Sequence, residues 1–248
     1  MNFLTSILTN QGGRDNNEDY AAYICRDGYG AWIAADGLGG HQAGEVASKL
    51  AADTALSRFE SNPTISKQEI EEVVNAANMA VVAGQAADFK HSGMRTTIVG
   101  LFSNGDKTIW AHVGDSRLYW FRDGRLIGQT RDHSVSQAAV ASGEITADQI
   151  RFHDDRNKLL RVLGTGPELK IEITEPSAPI MQGDAFLLCT DGFWEYIYEL
   201  EMEIDLAKSA TPDEWLKYMS GRLYGRLGKD NDNFTALAVF CTYEGDER

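Results

Sequence analysis

Ala34-Ala35-Asp36-Gly37-Leu38-Gly39-Gly40-His41 decides how this chain is read. The apolar run Ala31-Trp32-Ile33-Ala34-Ala35 reads as a buried strand and stops at the carboxylate of Asp36. Gly37, Gly39 and Gly40 follow. A helical pattern comes next, with Ala47, Leu50, Ala51, Ala55 and Phe59 on one stripe. A strand end holds an acid rigidly, and glycine lets the backbone approach a ligand or take a positive φ. The same residues also make an ordinary strand-to-helix turn. The octapeptide alone does not choose between site and turn.

Composition narrows the choice. The 248 residues are 43% hydrophobic and 24% charged, which is globular and gives ample material for a core. A net charge of −14 argues against a nucleic-acid or anionic-membrane surface, since both need basic patches. It fits simple solubility, a focused cluster of acids that binds cations, or both. Cys25, Cys189 and Cys241 are odd in number and widely spaced, so neither a disulfide framework nor a thiolate zinc site is indicated. No basic segment precedes an apolar core at the N-terminus, and no apolar run reaches the roughly 18–20 residues that span a bilayer. The expectation is a cytoplasmic, monomeric protein with neither nucleic acid nor membrane as partner.

Outward from the octapeptide, strands are predicted at 3–9, 20–24 and 32–35, with Asp27-Gly28 as a hairpin turn. Two helices follow, the second opened by a capping box of Ser66 and Glu69. From 94 to 130 the period changes to strand, broken at Asn104-Gly105, Gly114-Asp115-Ser116 and Asp123-Gly124. This segment reads as one antiparallel meander. A short helix is expected at 134–142, a strand at 169–174 and a buried strand at 185–190 ending at Asp191-Gly192. A helix capped by Thr211-Pro212 and a closing strand at 234–242 complete the chain. No linker or repeat interrupts it, so residues 1–248 read as one α+β domain.

Acids recur at strand ends: Asp36, Asp191 and Asp232, with Asp115 in a turn and Glu18-Asp19 before a strand. Gathered on one sheet edge they repel one another unless a cation neutralises them. His41, His91, His112, His133 and His153 show no HxxxH or HxH spacing, so an all-oxygen Mg²⁺ or Mn²⁺ site is better supported than zinc. Spacing does not show that the acids meet, and any one of them is also ordinary turn chemistry.

The set Arg14-x-x-Asn17-Glu18-Asp19, Ala35 through His41, Gly114-Asp115-Ser116-Arg117, Asp132-His133-Ser134, Thr190-Asp191-Gly192 and Asp232-Asn233-Phe234-Thr235 resembles the PP2C (PPM) family of metal-dependent serine/threonine phosphatases. Each motif is short, but six stand in the family's order. The wording resembles its bacterial stand-alone members. The resemblance implies a four-layer α-β-β-α sandwich with two central antiparallel sheets. It implies two, or with a third weaker position three, Mn²⁺ or Mg²⁺ ions. Asp36 would bridge two ions and the Gly37 carbonyl would bind one of them. Asp191 and Asp232 would hold the other, Glu18 and Asp19 would orient metal waters, and Asp115 with Asp191 would form the third position. Arg14 would grip the substrate phosphate. Water would attack phosphoserine or phosphothreonine directly, with a phosphoprotein as partner and a bacterial Ser/Thr kinase as opponent. A non-catalytic phosphoprotein-binding module on the same fold is the alternative, and a calcium-binding structural protein a third.

Three departures stand out. Animal relatives carry a histidine where this chain has Leu38, with His41 three residues on. The family's Gly-Met-Gly-Thr-Thr reads Gly93-Met94-Arg95-Thr96-Thr97 here, which makes Arg95 a substrate-facing charge or a solvated strand-edge residue. The segment 144–168 carries Arg151, His153, Arg156, Lys158 and Arg161, which reads as a basic mobile lid or as an ordinary solvated loop.

Overall fold

The computed structural model describes residues 1–26, 28–39 and 43–242; Asp27, Gly40, His41, Gln42 and 243–248 lie outside the described residues, and with them the expected turn at Asp27 and the position of His41. The chain opens with β1 (Asn2–Asn10), β2 (Asp19–Arg26) and β3 (Tyr29–Leu38), followed by helices α1 (Ala43–Ser61) and α2 (Lys67–Ala87). Then come β4 (Arg95–Thr96), β5 (Ile98–Ser103), β6 (Thr108–Val113), β7 (Arg117–Arg122) and β8 (Arg125–Gln129). Next are α3 (Val135–Ser142), a 3-10 turn at Ala147–Phe152, β9 (Glu172–Thr174) and β10 (Ala185–Cys189). Helices α4 (Asp191–Trp194), α5 (Glu199–Leu206) and α6 (Pro212–Tyr224) lead to β11 (Phe234–Thr242).

Two antiparallel sheets form. One runs β1-β11-β10-β7-β8; the other runs β2-β3-β5-β6-β9, with β4 paired to the end of β3. Successive side chains on a strand point to opposite faces, and here both faces are apolar. Trp32, Val99, Leu101 and Trp110 of one sheet meet Leu118, Trp120, Phe186 and Leu237 of the other. Ala31, Ile33, Phe102 and Ala111 point outward, onto Ala47, Ala51 and Phe59 of α1 and Val73 and Ala77 of α2. Tyr119, Phe121, Leu187 and Ala238 point the other way, onto Met202 of α5 and Trp215 and Met219 of α6. The result is the α-β-β-α sandwich, with Trp32, Trp110 and Trp215 in its core.

The structure corrects several boundaries. The stretch 94–130 is not one meander: β5 and β6 lie in one sheet, β7 and β8 in the other. Gly114-Asp115-Ser116 carries the chain across. Gly114 has φ +110°, and a Cβ there would lie 2.6 Å from the Thr97 side chain, so both backbone and space require glycine. β3 does not stop at Asp36. Gly37 and Leu38 pair with Thr96 and Arg95, and these ladder bonds extend the strand beyond its apolar run. Only Glu172–Thr174 of the 169–174 segment pairs as a strand. The capping box at α2 is half made: Ser66 Oγ accepts from the Glu69 amide, while the Glu69 carboxylate serves Arg58.

Phe186 sits in the inter-sheet layer, fully buried and stacked on Trp120 with centroids 6.0 Å apart. Phe186→Ala removes that cross-strand contact and leaves a cavity in the inter-sheet layer. Urea unfolding is expected to show a loss of about 3–5 kcal/mol with little change in slope.

Candidate metal centre

One end of the inter-sheet layer is acidic instead of apolar. Asp36 follows Ala34 on the inner face of β3, and its direct partner across the ladder is Asp19 of β2. Like charges placed directly opposite each other repel. The frame holds Asp36 by its backbone: its N–H donates to Thr97 Oγ1 at 2.9 Å, and its carbonyl accepts from Thr96 Oγ1 at 2.8 Å and from the Thr97 amide at 2.9 Å. Asp115 arrives on the crossover between sheets, where its carbonyl accepts from Trp194 Nε1 at 2.9 Å. Asp191 begins α4 directly after β10.

Asp232 and Glu18 are joined by Asn233. Asn233 Oδ1 accepts from the Glu18 amide at 2.8 Å. Its Nδ2 donates to the carbonyls of Gln11 at 2.7 Å and Asn16 at 2.8 Å. The loop carrying Arg14 is thereby tied to the start of β11, and Arg14 Nη2 meets Asp232 Oδ2 at 2.9 Å. Arg14, Glu18, Asp36, Gly37, Asp115, Asp191 and Asp232 line one open cavity of about 590 Å³, a size that admits a phosphorylated side chain. Leu38, Gly39 and Leu159 also line it. Asp19 lies just behind, buried, and accepts from Thr190 Oγ1 at 2.8 Å. All eight residues expected at the metals or the phosphate are therefore at one place.

The electrostatics of the cluster are unfavourable by themselves. Burial, reinforced by Asp191, Asp19, Asp115 and Asp232, pushes Asp36 well above the usual carboxylate range. Burial and then Asp191 and Asp132 do the same to Asp115. Asp19 is pushed up to about 8 by burial, against the Thr190 hydrogen bond. Asp191 is pushed up to about 7 by burial, Glu195 and Asp232. Burial and Asp232 also raise Glu18. Asp115 Oδ1 is buried with no hydrogen-bond partner among the described residues. An oxygen-only donor set with an orphaned carboxylate oxygen and mutual repulsion fits a hard divalent cation.

The structure adds to one expectation and revises another. Glycine at 37 is required by packing: a Cβ would lie 2.1 Å from the Gly44 carbonyl of α1 and 2.6 Å from the Glu18 carbonyl. The 144–168 segment is not a free basic lid. Arg151 is buried, donating to the Trp194 and Ile197 carbonyls and to Glu199, and Arg156 holds Glu195 at 2.8 Å.

Sequence spacing also missed a cluster behind Asp115. His112, His133 and Glu172 each offer a ligand atom within 4.8 Å of the others. The imidazoles stack at 4.6 Å with planes 9° apart, so their in-plane lone pairs do not converge. His133 Nδ1 accepts the Gly114 amide at 3.2 Å, and His112 Nε2 donates to the Arg131 carbonyl at 2.7 Å. The pair braces the crossover that carries Asp115.

A model of the family described as protein phosphatase 2C matches residues 10–222. The chain belongs to the protein phosphatase 2C family. Relatives of that family in bacteria include the serine/threonine phosphatase stp of Listeria welshimeri, to which the chain is 35% identical over 170 residues. That match spans 66% of this chain and 65% of the relative, just under two thirds of its length. The fold is similar to that of the Mycobacterium tuberculosis serine/threonine phosphatase PstP/Ppp, with a TM-score of 0.83 and 29% identity over 97% of this chain and 99% of that one. A crystal structure of the PstP catalytic domain in complex with 2 manganese ions has a TM-score of 0.80 and 28% identity, over 97% and 99% of the chains.

A carboxyl whose folded pKa lies above its unfolded value keeps its proton better when folded. Its stabilising contribution is full below the unfolded value and is lost as pH rises through the folded one. For Asp19 that window runs from 3.8 to about 8, and for Asp191 from 3.8 to about 7. In EDTA, the melting temperature is expected to fall between pH 5.5 and pH 8, and the rise produced by Mn²⁺ is expected to be larger at pH 8. A metal-free melting temperature independent of pH contradicts the arrangement.

Proposed function

We propose that this chain is a Mn²⁺- or Mg²⁺-dependent phosphatase that removes phosphate from phosphoserine and phosphothreonine in proteins, with water as nucleophile and no phosphoenzyme. The observation that carries this is the convergence of Asp36, Asp115, Asp191, Asp232, Glu18 and Arg14 on one open cavity. In this reading Asp36, the Gly37 carbonyl, Asp191 and Asp232 would hold two ions, Glu18 and Asp19 would support them, and Asp115 with Asp191 would offer a third position. When bound, such ions lower the pKa of water and offset negative charge on a phosphoryl group.

The protein supplies position and selection. A guanidinium matches two phosphate oxygens, and Arg14 is solvent-accessible at the cavity edge. Its ion pair with Asp232 keeps it over the cavity before substrate arrives. The negative charge of the clustered acids keeps phosphate out until cations are present. Leu38 lines the cavity and carries no proton, so this position excludes water without protonating the leaving oxygen. A phosphoprotein substrate requires a kinase to make it, so we place this chain opposite a Ser/Thr kinase. We also infer that residues 1–248 work as one domain, because the cavity draws on residues from Arg14 to Asn233.

With a phosphothreonine peptide and Mn²⁺, Asp36→Asn and Asp191→Asn are each expected to lower kcat at least about a hundredfold, beyond the ~10–100-fold typical of changes behind a metal ligand. EDTA is expected to abolish turnover and Mn²⁺ to restore it. Arg14→Ala is expected to raise KM roughly tenfold or more, the scale of a lost charge-assisted hydrogen bond. Full activity in EDTA overturns the reading.

A further inference from the structure

We propose that Arg95 is a second cation at the rim of the cavity, which selects substrates carrying an anionic side chain beside the phosphorylated residue. This rests on the phosphatase reading above and adds a specificity residue to it.

The placement follows from register. Leu38 and Arg95 are direct partners across the antiparallel β3–β4 ladder. Side chains directly opposite share a face, with Cβ atoms about 5 Å apart. Residues two apart on a strand also share a face, so Asp36 and Leu38 point the same way. Both line the cavity. Arg95 therefore projects on the Asp36 side of the sheet, at the ladder position beside Leu38. Its neighbours Met94 and Thr96 are buried, and Met94 joins the core against α1 and α2. The alternation leaves Arg95 as the exposed residue of the strand.

The charge on Arg95 is uncommitted. Arg14, Arg117, Arg151 and Arg156 around the site each hold a carboxylate. Arg95 makes no side-chain hydrogen bond or ion pair among the described residues. A chain with a net charge of −14 repels acidic peptides at long range, and a free guanidinium at the rim offsets that locally. Arg14 sits on the loop after β1 and Arg95 on β4, so the two cations come from separate parts of the rim. That arrangement suits two anions on one substrate: the phosphate at Arg14, and a carboxylate or a second phosphate at Arg95.

The test compares non-hydrolysable phosphonate analogues of a phosphothreonine peptide, measured by fluorescence anisotropy in Mn²⁺. One is flanked by aspartate, one by alanine and one by phosphoserine. The wild-type protein is expected to bind the aspartate-flanked peptide about fivefold more tightly than its alanine twin, the scale of one exposed ion pair. The phosphoserine arm shows which anion Arg95 prefers. Arg95→Ala is expected to bring the ratios close to one, and Arg95→Lys to retain part of them. Added NaCl is expected to shrink the wild-type ratios. Ratios unchanged in Arg95→Ala, or equal or undetectable binding of all three peptides by the wild type, overturn the proposal. Wild-type turnover of p-nitrophenyl phosphate, which has no flanking residues, tests the phosphatase reading separately.

Discussion

Asp19 and Asp36 face each other across an antiparallel ladder, Asp19 buried and Asp36 half-buried at the cavity. No local preference puts two acids there. The pairing is imposed by the apolar alternation of β2 and β3, which fixes register over the whole strand. A one-residue slip would relieve the repulsion but would turn Trp32 and Ala34 out of the inter-sheet core. Hydrophobic burial thus forces the acids together, and the unfavourable electrostatics at the cavity follow from it.

The surrounding polar groups hold the acids without neutralising them. Arg117 grips Asp132 through two 2.8 Å bonds and lies 3.5 Å over the Trp194 ring. Trp194 in turn holds the carbonyl of Asp115. His133 holds the Gly114 amide from the other side. The arginine nearest the acids by sequence motif, Arg117, is therefore spent on the crossover itself. The backbone of Asp36 is fixed by threonines and that of Glu18 by Asn233. Such a frame keeps the carboxylates together with Arg14 on Asp232 as only a partial counter-charge, an instance of function set against stability.

Much of this was legible in the sequence. Period-two apolar runs located the strands, the stripe on α1 located the first helix and the Ser66 cap the second. Six motifs in order named Asp36, Asp115, Asp191, Asp232 and Arg14. What pattern alone missed is long-range. Gly114-Asp115-Ser116 looks like one more hairpin break, and only the packing of Leu118 and Trp120 against the other sheet shows that the chain changes sheets there. The end of β3 was misjudged because Gly37 and Leu38 stay extended through pairing with β4, 57 or more positions away in sequence, as the register Leu38↔Arg95 shows. His112, His133 and Glu172 have no common spacing because they come from β6, a loop and β9. Arg151 and Arg156 looked like a solvated run, and their partners lie on the segment after β10.

The central claim is that the clustered acids share bound divalent cations. Crystals grown with Mn²⁺ and measured at the manganese absorption edge test it most directly. The account predicts strong anomalous peaks in the cavity among Asp36, Asp191 and Asp232. An empty cavity at saturating Mn²⁺, or a peak only beside His112, His133 and Glu172, contradicts it.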